Sequence, residues 1–391
     1  MLNNQAMNAP TTEAILGRLI SFDTTSRNSN LALIDDVAQL LSEHGIESHR
    51  VPDETGKKAN LVATIGPADR PGLVLSGHTD VVPVDGQDWT SDPFVAREDQ
   101  DRIIGRGAAD MKGFIAAVLS KVPAMKVAPL KRPFVLALSY DEEIGCVGVR
   151  RLLAQMAEWP VKPMGCIVGE PTRMKVVIGH KAKRSLRVIV TGTAAHSSLA
   201  PSAVNAAEYG ARLTVFIQDL GRQFATSGRR DELYDVQHTT AHVGVLRGGQ
   251  QLNIVPEECR LDFEFRALPE DDIDQFVEDV KHYALKTLLP EMKAVSELAD
   301  IEFHDVSGFP GLSTQPSHHF VGMMRELTNG DPVGKVAFGT EAGLFSQQVG
   351  IPAVVCGPGS IEQAHKPDEW IAKAQLREAE QLIDRLIQAG C

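Results

Sequence analysis

Apolar residues recur at helical spacing over residues 12–21 and 31–44, and Gly45 is placed to end the second stretch. Beyond them the pattern changes. Short, nearly continuous apolar runs stand at 60–65, 72–77, 133–140 and 165–169, with helical stretches near 112–126 and 145–157. Runs of that length without polar alternation are the mark of strands buried on both faces. The first part of the chain therefore predicts an α/β fold, a mixed and mostly parallel sheet with helices on both faces. In such sheets functional side chains gather beyond the carboxyl ends of the strands.

After about residue 182 the strands begin to alternate. Leu186-Arg187-Val188-Ile189-Val190, Ala241-His242-Val243-Gly244-Val245 and Arg260-Leu261-Asp262-Phe263-Glu264-Phe265-Arg266 each read as half-exposed strands. Helical stretches fall near 202–220 and 270–289, and Ile301-Glu302-Phe303 forms a last short strand. The order strand, helix, strand, strand, helix, strand predicts a ferredoxin-like α+β sandwich inserted at 184–304. The α/β pattern resumes from about 317, with a helix, a strand at 335–339, another helix, a strand at 353–357 and a terminal helix near 372–388. The expected organisation is a first domain made of 1–183 and 305–391, with 184–304 inserted as a dimerisation or lid domain.

Composition narrows the function classes. With 39 basic and 51 acidic residues the net charge is −12, which argues against a nucleic-acid partner. The five cysteines are odd in number and widely spaced, so they read as reduced thiols and not as a disulfide framework. No apolar stretch approaches the roughly 20 residues that span a bilayer, and the N-terminus lacks the pattern of a signal peptide. The expectation is a cytoplasmic protein without membrane contact.

The chemistry sits at the ends of the buried runs. His78 and Asp80 close the 72–77 run, Asp110 lies in Ala108-Ala109-Asp110-Met111-Lys112-Gly113, and Glu142-Glu143 follows the 133–140 run. Glu170 follows the 165–169 run, and His365 lies in Gln363-Ala364-His365-Lys366-Pro367-Asp368-Glu369. Imidazole and carboxylate together suit zinc, cobalt or manganese. Two ions about 3.5–4 Å apart need a bridging carboxylate and separate further ligands. Asp110 can bridge, with His78 and Glu170 completing one site and Glu143 and His365 the other. Three protein ligands per ion leave positions open, as in catalytic sites. Neighbours on an extended segment point in opposite directions, so one of Glu142 and Glu143 can bind metal while the other accepts a proton from water. Asp80, two residues after His78, is on the same side and can orient its imidazole.

Singly, each of these is a common turn or strand-end residue. Together they resemble the family of dinuclear zinc peptidases and amidohydrolases that includes acetylornithine deacetylase, succinyl-diaminopimelate desuccinylase, aminoacylase and glutamate carboxypeptidases. The resemblance rests on Ser76-Gly77-His78-Thr79-Asp80-Val81-Val82-Pro83, Gly105-Arg106-Gly107-Ala108-Ala109-Asp110-Met111-Lys112-Gly113, Asp141-Glu142-Glu143-Ile144-Gly145, Gly169-Glu170-Pro171-Thr172 and the His365 segment. It implies that His78, Asp110, Glu143, Glu170 and His365 ligate two divalent ions, zinc or else cobalt or manganese. It implies that Asp80 and Glu142 are the catalytic pair, with Glu142 the general base, and that the Asp110–Met111 peptide is cis.

In the inserted domain, Gly192-Thr193-Ala194-Ala195-His196-Ser197-Ser198 is similar to the family's G-x-x-x-H-S segment, whose histidine acts across a homodimer to stabilise an oxyanion. Asn253 and Arg266 resemble its substrate-carboxylate contacts, and Gly339 and Thr340 lie in a loop that resembles its pocket lining. The resemblance implies an enzyme hydrolysing the amide of a small N-acyl amino acid. Tyr140-Asp141-Glu142-Glu143-Ile144-Gly145-Cys146, Gly169-Glu170-Pro171-Thr172-Arg173-Met174 and Gly339-Thr340-Glu341-Ala342-Gly343 are most similar to the acetylornithine deacetylases, implying N2-acetylornithine and a role in arginine biosynthesis. A desuccinylase, aminoacylase or dipeptidase of the same chemistry is the alternative. A non-catalytic binding relative is the distant one, since such a relative lacks ligands or base and here every position is filled.

Overall fold

The computed structural model describes residues 10–328 and 330–390. The chain forms two compact units, one running to Gly179 and including Leu312–Lys335 and the chain from Thr340, the other made of His180–Gly311 and Val336–Gly339. The units change over at 179/180 and 311/312, whereas the sequence pattern placed its boundaries at 183/184 and 304/305. The bordering strands, Ala182–Thr191 and Asp300–Phe309, are longer than the alternating apolar positions reveal.

In the first unit, the strands Phe134–Ser139, Leu73–His78, Gly165–Pro171 and Ala353–Gly357 lie side by side and parallel. Ser48–Pro52 and Ala59–Ile65 continue the sheet antiparallel on one side, and Val177–His180 pairs antiparallel with Ala353–Gly357 on the other. All four central strands are buried along their whole length, which is why their sequences show no alternation. Thr12–Ile20 is capped by the Thr11 hydroxyl, which accepts from the Ala14 amide at 3.2 Å, and it buries Ile15, Leu16, Leu19 and Ile20. Gly113–Ser120 packs between this helix and Lys373–Gln388, and it is buried on every side except at Ser120. A three-stranded sheet of Arg97–Asp99, Arg102–Ile104 and Trp370–Ala372 lies apart from the main one.

The second unit is a four-stranded antiparallel sheet in the order Thr240–Gly248, Glu258–Ala267, Ala182–Thr191, Asp300–Phe309. Leu186, Val188, Val190, Leu261, Phe263 and Phe265 alternate onto one face and meet Leu213 and Ile217 of helix Ala206–Ser227 and Val277 and Val280 of helix Ile273–Tyr283. The element order and strand order are those of a ferredoxin-like sandwich.

Several elements differ from their expected bounds. The helix expected near 202–220 is Ala206–Ser227, because Pro201 and the Asn205 cap start it late. The second helix runs on past Tyr283 through a π-turn, Ala284–Leu288, into Leu289–Val295. The strand expected at 335–339 is Gly334–Val336. Among the described residues no helix is long and apolar enough to cross a membrane.

The strand carrying Glu170 is held against Ala353–Gly357 at a point with no room for a side chain. A Cβ at Gly357 would lie 1.9 Å from the Gly169 carbonyl oxygen. Gly357→Ala is expected to cost about 1–3 kcal/mol by forcing the strands apart. Thermal unfolding of the variant measures this, and an unchanged midpoint would contradict it.

Candidate metal centre

The strand ends and the turns after them bring the five expected ligands together in the first unit. Two groups form, His78–Asp110–Glu170 and Asp110–Glu143–His365, each with its ligand atoms all within 4.8 Å of one another. Asp110 belongs to both. Its Oδ1 lies 3.0 Å from His78 Nε2 and its Oδ2 lies 3.3 Å from His365 Nε2. Glu170 Oε1 is 3.7 Å from His78 Nε2, and Glu143 Oε2 is 3.1 Å from His365 Nε2. The donor set, neutral imidazole with carboxylate and one carboxylate facing two ways, fits a pair of divalent cations.

Local structure explains each placement. His78 is the last residue of its strand, opposite Ser139 at the end of the neighbouring strand. Its Nδ1 lies 2.9 Å from the Asp80 carbonyl oxygen, which accepts only, so Nδ1 carries a proton and Nε2 is the ring nitrogen that faces Asp110 and Glu170, free to offer its lone pair to a cation once its own proton is displaced. Asp110 lies in the turn Ala108–Lys112, entered through Gly107 at φ 82°, and the Asp110–Met111 peptide is cis. His365 has φ 60°.

Asp80 works differently from the expected carboxylate–imidazole contact. Its Oδ1 is 3.6 Å from His78 Nδ1, and the closer contact to the ring is through its backbone. The carboxylate instead accepts from the Ser26 hydroxyl at 2.7 Å and from the backbone amides of Glu142 and Glu143 at 3.1 and 3.3 Å. Asp80 thus joins the imidazole of one triad to the turn that carries Glu142 and Glu143. Glu142 is half-buried, and its Oε1 accepts from the buried Cys146 thiol at 3.3 Å.

The crowding of acids sets the electrostatics. Burial pushes the Glu142 carboxyl well above its ordinary value; the His78 charge offsets part of this, and Glu143, Glu341 and Asp110 add to it. Burial and the Asp110 charge raise Glu143 to about 7. Burial would raise Asp110, but hydrogen bonds from His365 and His78 outweigh it and hold its carboxyl far below the usual range. Burial lowers His78, yet Glu170, Asp110 and Asp80 around it outweigh that and hold it well above the ordinary histidine value. Hydrogen bonds to Asp110 and Glu143 raise His365 to about 10.

Sequence reasoning passed over Ser26, Cys146 and Glu341 as site residues. Glu341 is buried, raised to about 7 by burial, and its Oε2 lies 3.5 Å from the Ser76 hydroxyl. A charged residue inside a run of small ones, Gly339-Thr340-Glu341-Ala342-Gly343, was the available signal. Thr340 itself is fully buried, and its hydroxyl accepts from the Ala342 amide at 3.0 Å.

The remaining expected residues lie in the second unit. His196 and Asn253 are neighbours there: His196 bridges Ile254, and the Ser197 amide donates to the Asn253 carbonyl at 3.0 Å. The Ser198 amide donates to His196 Nδ1 at 3.2 Å, which leaves the proton of the neutral ring on Nε2. Arg266 lies on the polar face of the sheet, with Nε 3.0 Å from Glu264 Oε1. At Gly339 a Cβ would fall 1.8 Å from the Phe309 ring, so the glycine serves close packing.

Residues 74–389 match the family model described as Peptidase family M20/M25/M40. An acetylornithine deacetylase of Proteus mirabilis is 33% identical over 372 residues, covering 94% of this chain and 92% of that one. One from Edwardsiella ictaluri is 33% identical and covers 98% of each chain. Among solved structures, an M20 family metallo-carboxypeptidase from Sulfolobus solfataricus superposes with a TM-score of 0.74 at 20% identity, covering 96% of this chain and 98% of that one. A tripeptidase from Staphylococcus aureus gives 0.73 at 20%, covering 98% of each. These two likenesses concern the fold.

Ligand protonation makes metal binding depend on pH. With His365 at about 10 and Glu143 at about 7, His365 holds its proton and Glu143 is about half protonated at neutral pH in the metal-free protein, and a cation must displace these protons. Affinity is therefore expected to rise with pH, by about tenfold per pH unit for each proton released. Calorimetric titration of Zn²⁺ in two buffers of different ionisation heat checks this. Binding without proton release would contradict the site.

Proposed function

The chain belongs to peptidase family M20/M25/M40 and is an amidohydrolase, and we propose that it removes the acyl group from an N-acyl amino acid, N2-acetylornithine, giving ornithine and acetate in arginine biosynthesis. The observation that carries the reaction type is the pair of triads sharing Asp110, with Glu142 on the same turn as a ligand. The relatives named acetylornithine deacetylase, 33% identical over most of the chain, support the choice of substrate.

On this reading His78, Asp110 and Glu170 hold one ion and Asp110, Glu143 and His365 the other. Zinc is the native metal, and cobalt and manganese suit the same donors. When bound, two such ions polarise an amide carbonyl and make water more acidic. The chain's residues do the rest. Glu142 takes the proton of the attacking water and passes it to the leaving amine, and its raised affinity for protons suits both halves of that task. Asp80 holds the amide groups of Glu142 and Glu143, so base and ligand keep a fixed separation. His196, its proton on Nε2, donates to the developing oxyanion. It is supplied by a second copy of the chain, the second unit making the homodimer. Asn253 and Arg266 hold the substrate carboxylate, Arg266 by a two-pronged contact, and the backbone at Gly339 and Thr340 shapes the pocket. The protein works in the cytoplasm.

Glu142→Ala is expected to keep both ions and lose about 10²–10⁴-fold in kcat. Metal analysis together with kinetics decides it, and near-normal turnover would remove Glu142 from the role of base. Steady-state kinetics on N2-acetylornithine, N-succinyl-diaminopimelate, other N-acyl amino acids and dipeptides, in metal-defined buffer, tests the substrate. A kcat/KM for acetylornithine below that for any of the others would reassign it.

A further inference from the structure

Two of the ligands, Asp110 and His365, sit on backbone that does not hold its own shape. Asp110 follows a left-handed glycine, and His365 and Asp368, neither a glycine, have φ 60° and 52°. Residues in that region persist only when their surroundings fix them. One side chain of the His365 segment reaches the other segment. Glu369, 1% exposed, turns its carboxylate back into the turn that carries Asp110. Its Oε1 accepts from the backbone amides of Ala109 and Asp110 at 2.9 and 3.0 Å, and its Oε2 accepts from the Gly107 amide at 3.0 Å. The same Oε2 meets Arg106 Nη1 at 2.7 Å, and Arg106 is equally buried.

Arg106 extends the contact to the other ligand. Its Nη1 lies 3.4 Å from the Lys366 carbonyl, next to His365, and its Nη2 donates to Gln87 Oε1 at 2.5 Å. Gln87 Nε2 in turn donates to the His365 carbonyl at 3.1 Å. The far end of the same loop is tied down by Asp368, which accepts from the Thr90 amide and hydroxyl at 3.1 and 2.8 Å. The Trp89 ring lies 5.0 Å from the Arg106 guanidinium. An isolated buried carboxylate would be costly, but here four donors satisfy it, three backbone amides and the oppositely charged Arg106. None of these side chains belongs to either group of candidate ligands.

We propose that Glu369 and Arg106 are positioning residues for the Asp110–Glu143–His365 triad: one buried ion pair sets both the backbone of the shared carboxylate and the loop of His365. The proposal rests on the metal reading given above. The His78–Asp110–Glu170 triad shares Asp110 but takes nothing from the His365 loop, so loss of the ion pair weakens the two sites unequally. Glu369→Gln places an amide where two or more donors converge. Removing such a supporting contact typically costs about 10–100-fold in metal affinity. Gln87→Ala removes the tie to the His365 carbonyl, together with the acceptor of Arg106 Nη2 and Trp89 Nε1, and leaves Glu369 with its backbone donors and its contact to Arg106 Nη1.

The test is Co²⁺ titration of the metal-free full-length chain, followed by visible absorption and calorimetry, alongside hydrogen exchange at the Ala109 and Asp110 amides and kcat and KM of the loaded enzyme. The wild type is expected to take two ions. Glu369→Gln is expected to take the first with little change and the second about 10–100-fold more weakly, with faster exchange at those amides and a loss in kcat larger than any change in KM. Gln87→Ala is expected to weaken the second ion alone without altering that exchange. If Glu369→Gln does not fold, the Gln87→Ala titration decides the matter. Variants that lose thermal stability but bind both ions as the wild type does would overturn the positioning role while leaving the metal reading intact. A wild type that takes fewer than two ions would overturn both.

Discussion

Crowded negative charge is the constraint on which the first unit depends. Asp110, Glu143 and Glu170 are drawn into two groups whose ligand atoms lie within 4.8 Å of one another, with Asp80, Glu142 and Glu341 close by. Two imidazoles do not balance that many carboxylates, and burying like charges together is among the most expensive arrangements a protein can make. The shifts follow from it: Glu142, Glu143, Glu170 and Glu341 are all pushed upward, whereas Asp110, with a histidine on each oxygen, and Asp80, held by hydrogen bonds from its neighbours, are pushed down. A fold that holds such a cluster in place is built for cations. Two of them would remove the repulsion and leave Glu142 as the acid outside the ligand set, with a proton affinity suited to moving a proton.

Holding the cluster takes rigid elements and buried hydrogen bonds. The parallel strands end together, which fixes His78 beside Ser139 and brings Glu170 alongside. Strand ends alone leave the turns free. Asp80 restrains the turn of Glu142 and Glu143 through two backbone amides, and Glu369 restrains the turn of Asp110 through two backbone amides and the Gly107 amide. In both cases a buried carboxylate accepts from main-chain N–H groups, so an acid that never meets a ligand atom decides where the ligands stand. Charge-assisted bonds of this kind are roughly twice as strong as neutral ones, which explains the use of acids here despite the local excess of negative charge.

Much of this was legible in the sequence. The buried strands announced themselves as unbroken apolar runs, and the candidate ligands that the structure gathers follow them in sequence. The short strands Ser48–Pro52, Arg97–Asp99 and Trp370–Ala372 left no comparable trace, because each buries at most one side chain. Within the site, the roles that depend on a side chain reaching across the chain were hidden. The pairing of Glu369 with Ala109 and Asp110 spans 260 and 259 residues of sequence, and nothing local to Glu369 reveals it. Asp80 was expected to orient His78 through its carboxylate, but that carboxylate serves the turn 62 residues further on.

Chemistry and selectivity are written in different kinds of residue. The reaction type follows from buried side chains in the first unit, where geometry leaves few alternatives. The groups proposed to read the substrate are of another character. His196 and Asn253 are exposed, and Arg266 has its guanidinium engaged by Glu264 in a row of ion pairs that includes Arg187, Arg260 and Asp262. An arginine in that setting does two jobs, pairing along its sheet and offering its remaining donors to a ligand. Neither job can be inferred from the other. Exposed donors bind whatever carboxylate or amide they are shown, so choice among N-acyl amino acids depends on what surrounds them and not on their identity. The motifs that identify the hydrolysis so firmly therefore carry little information about which acyl group is removed.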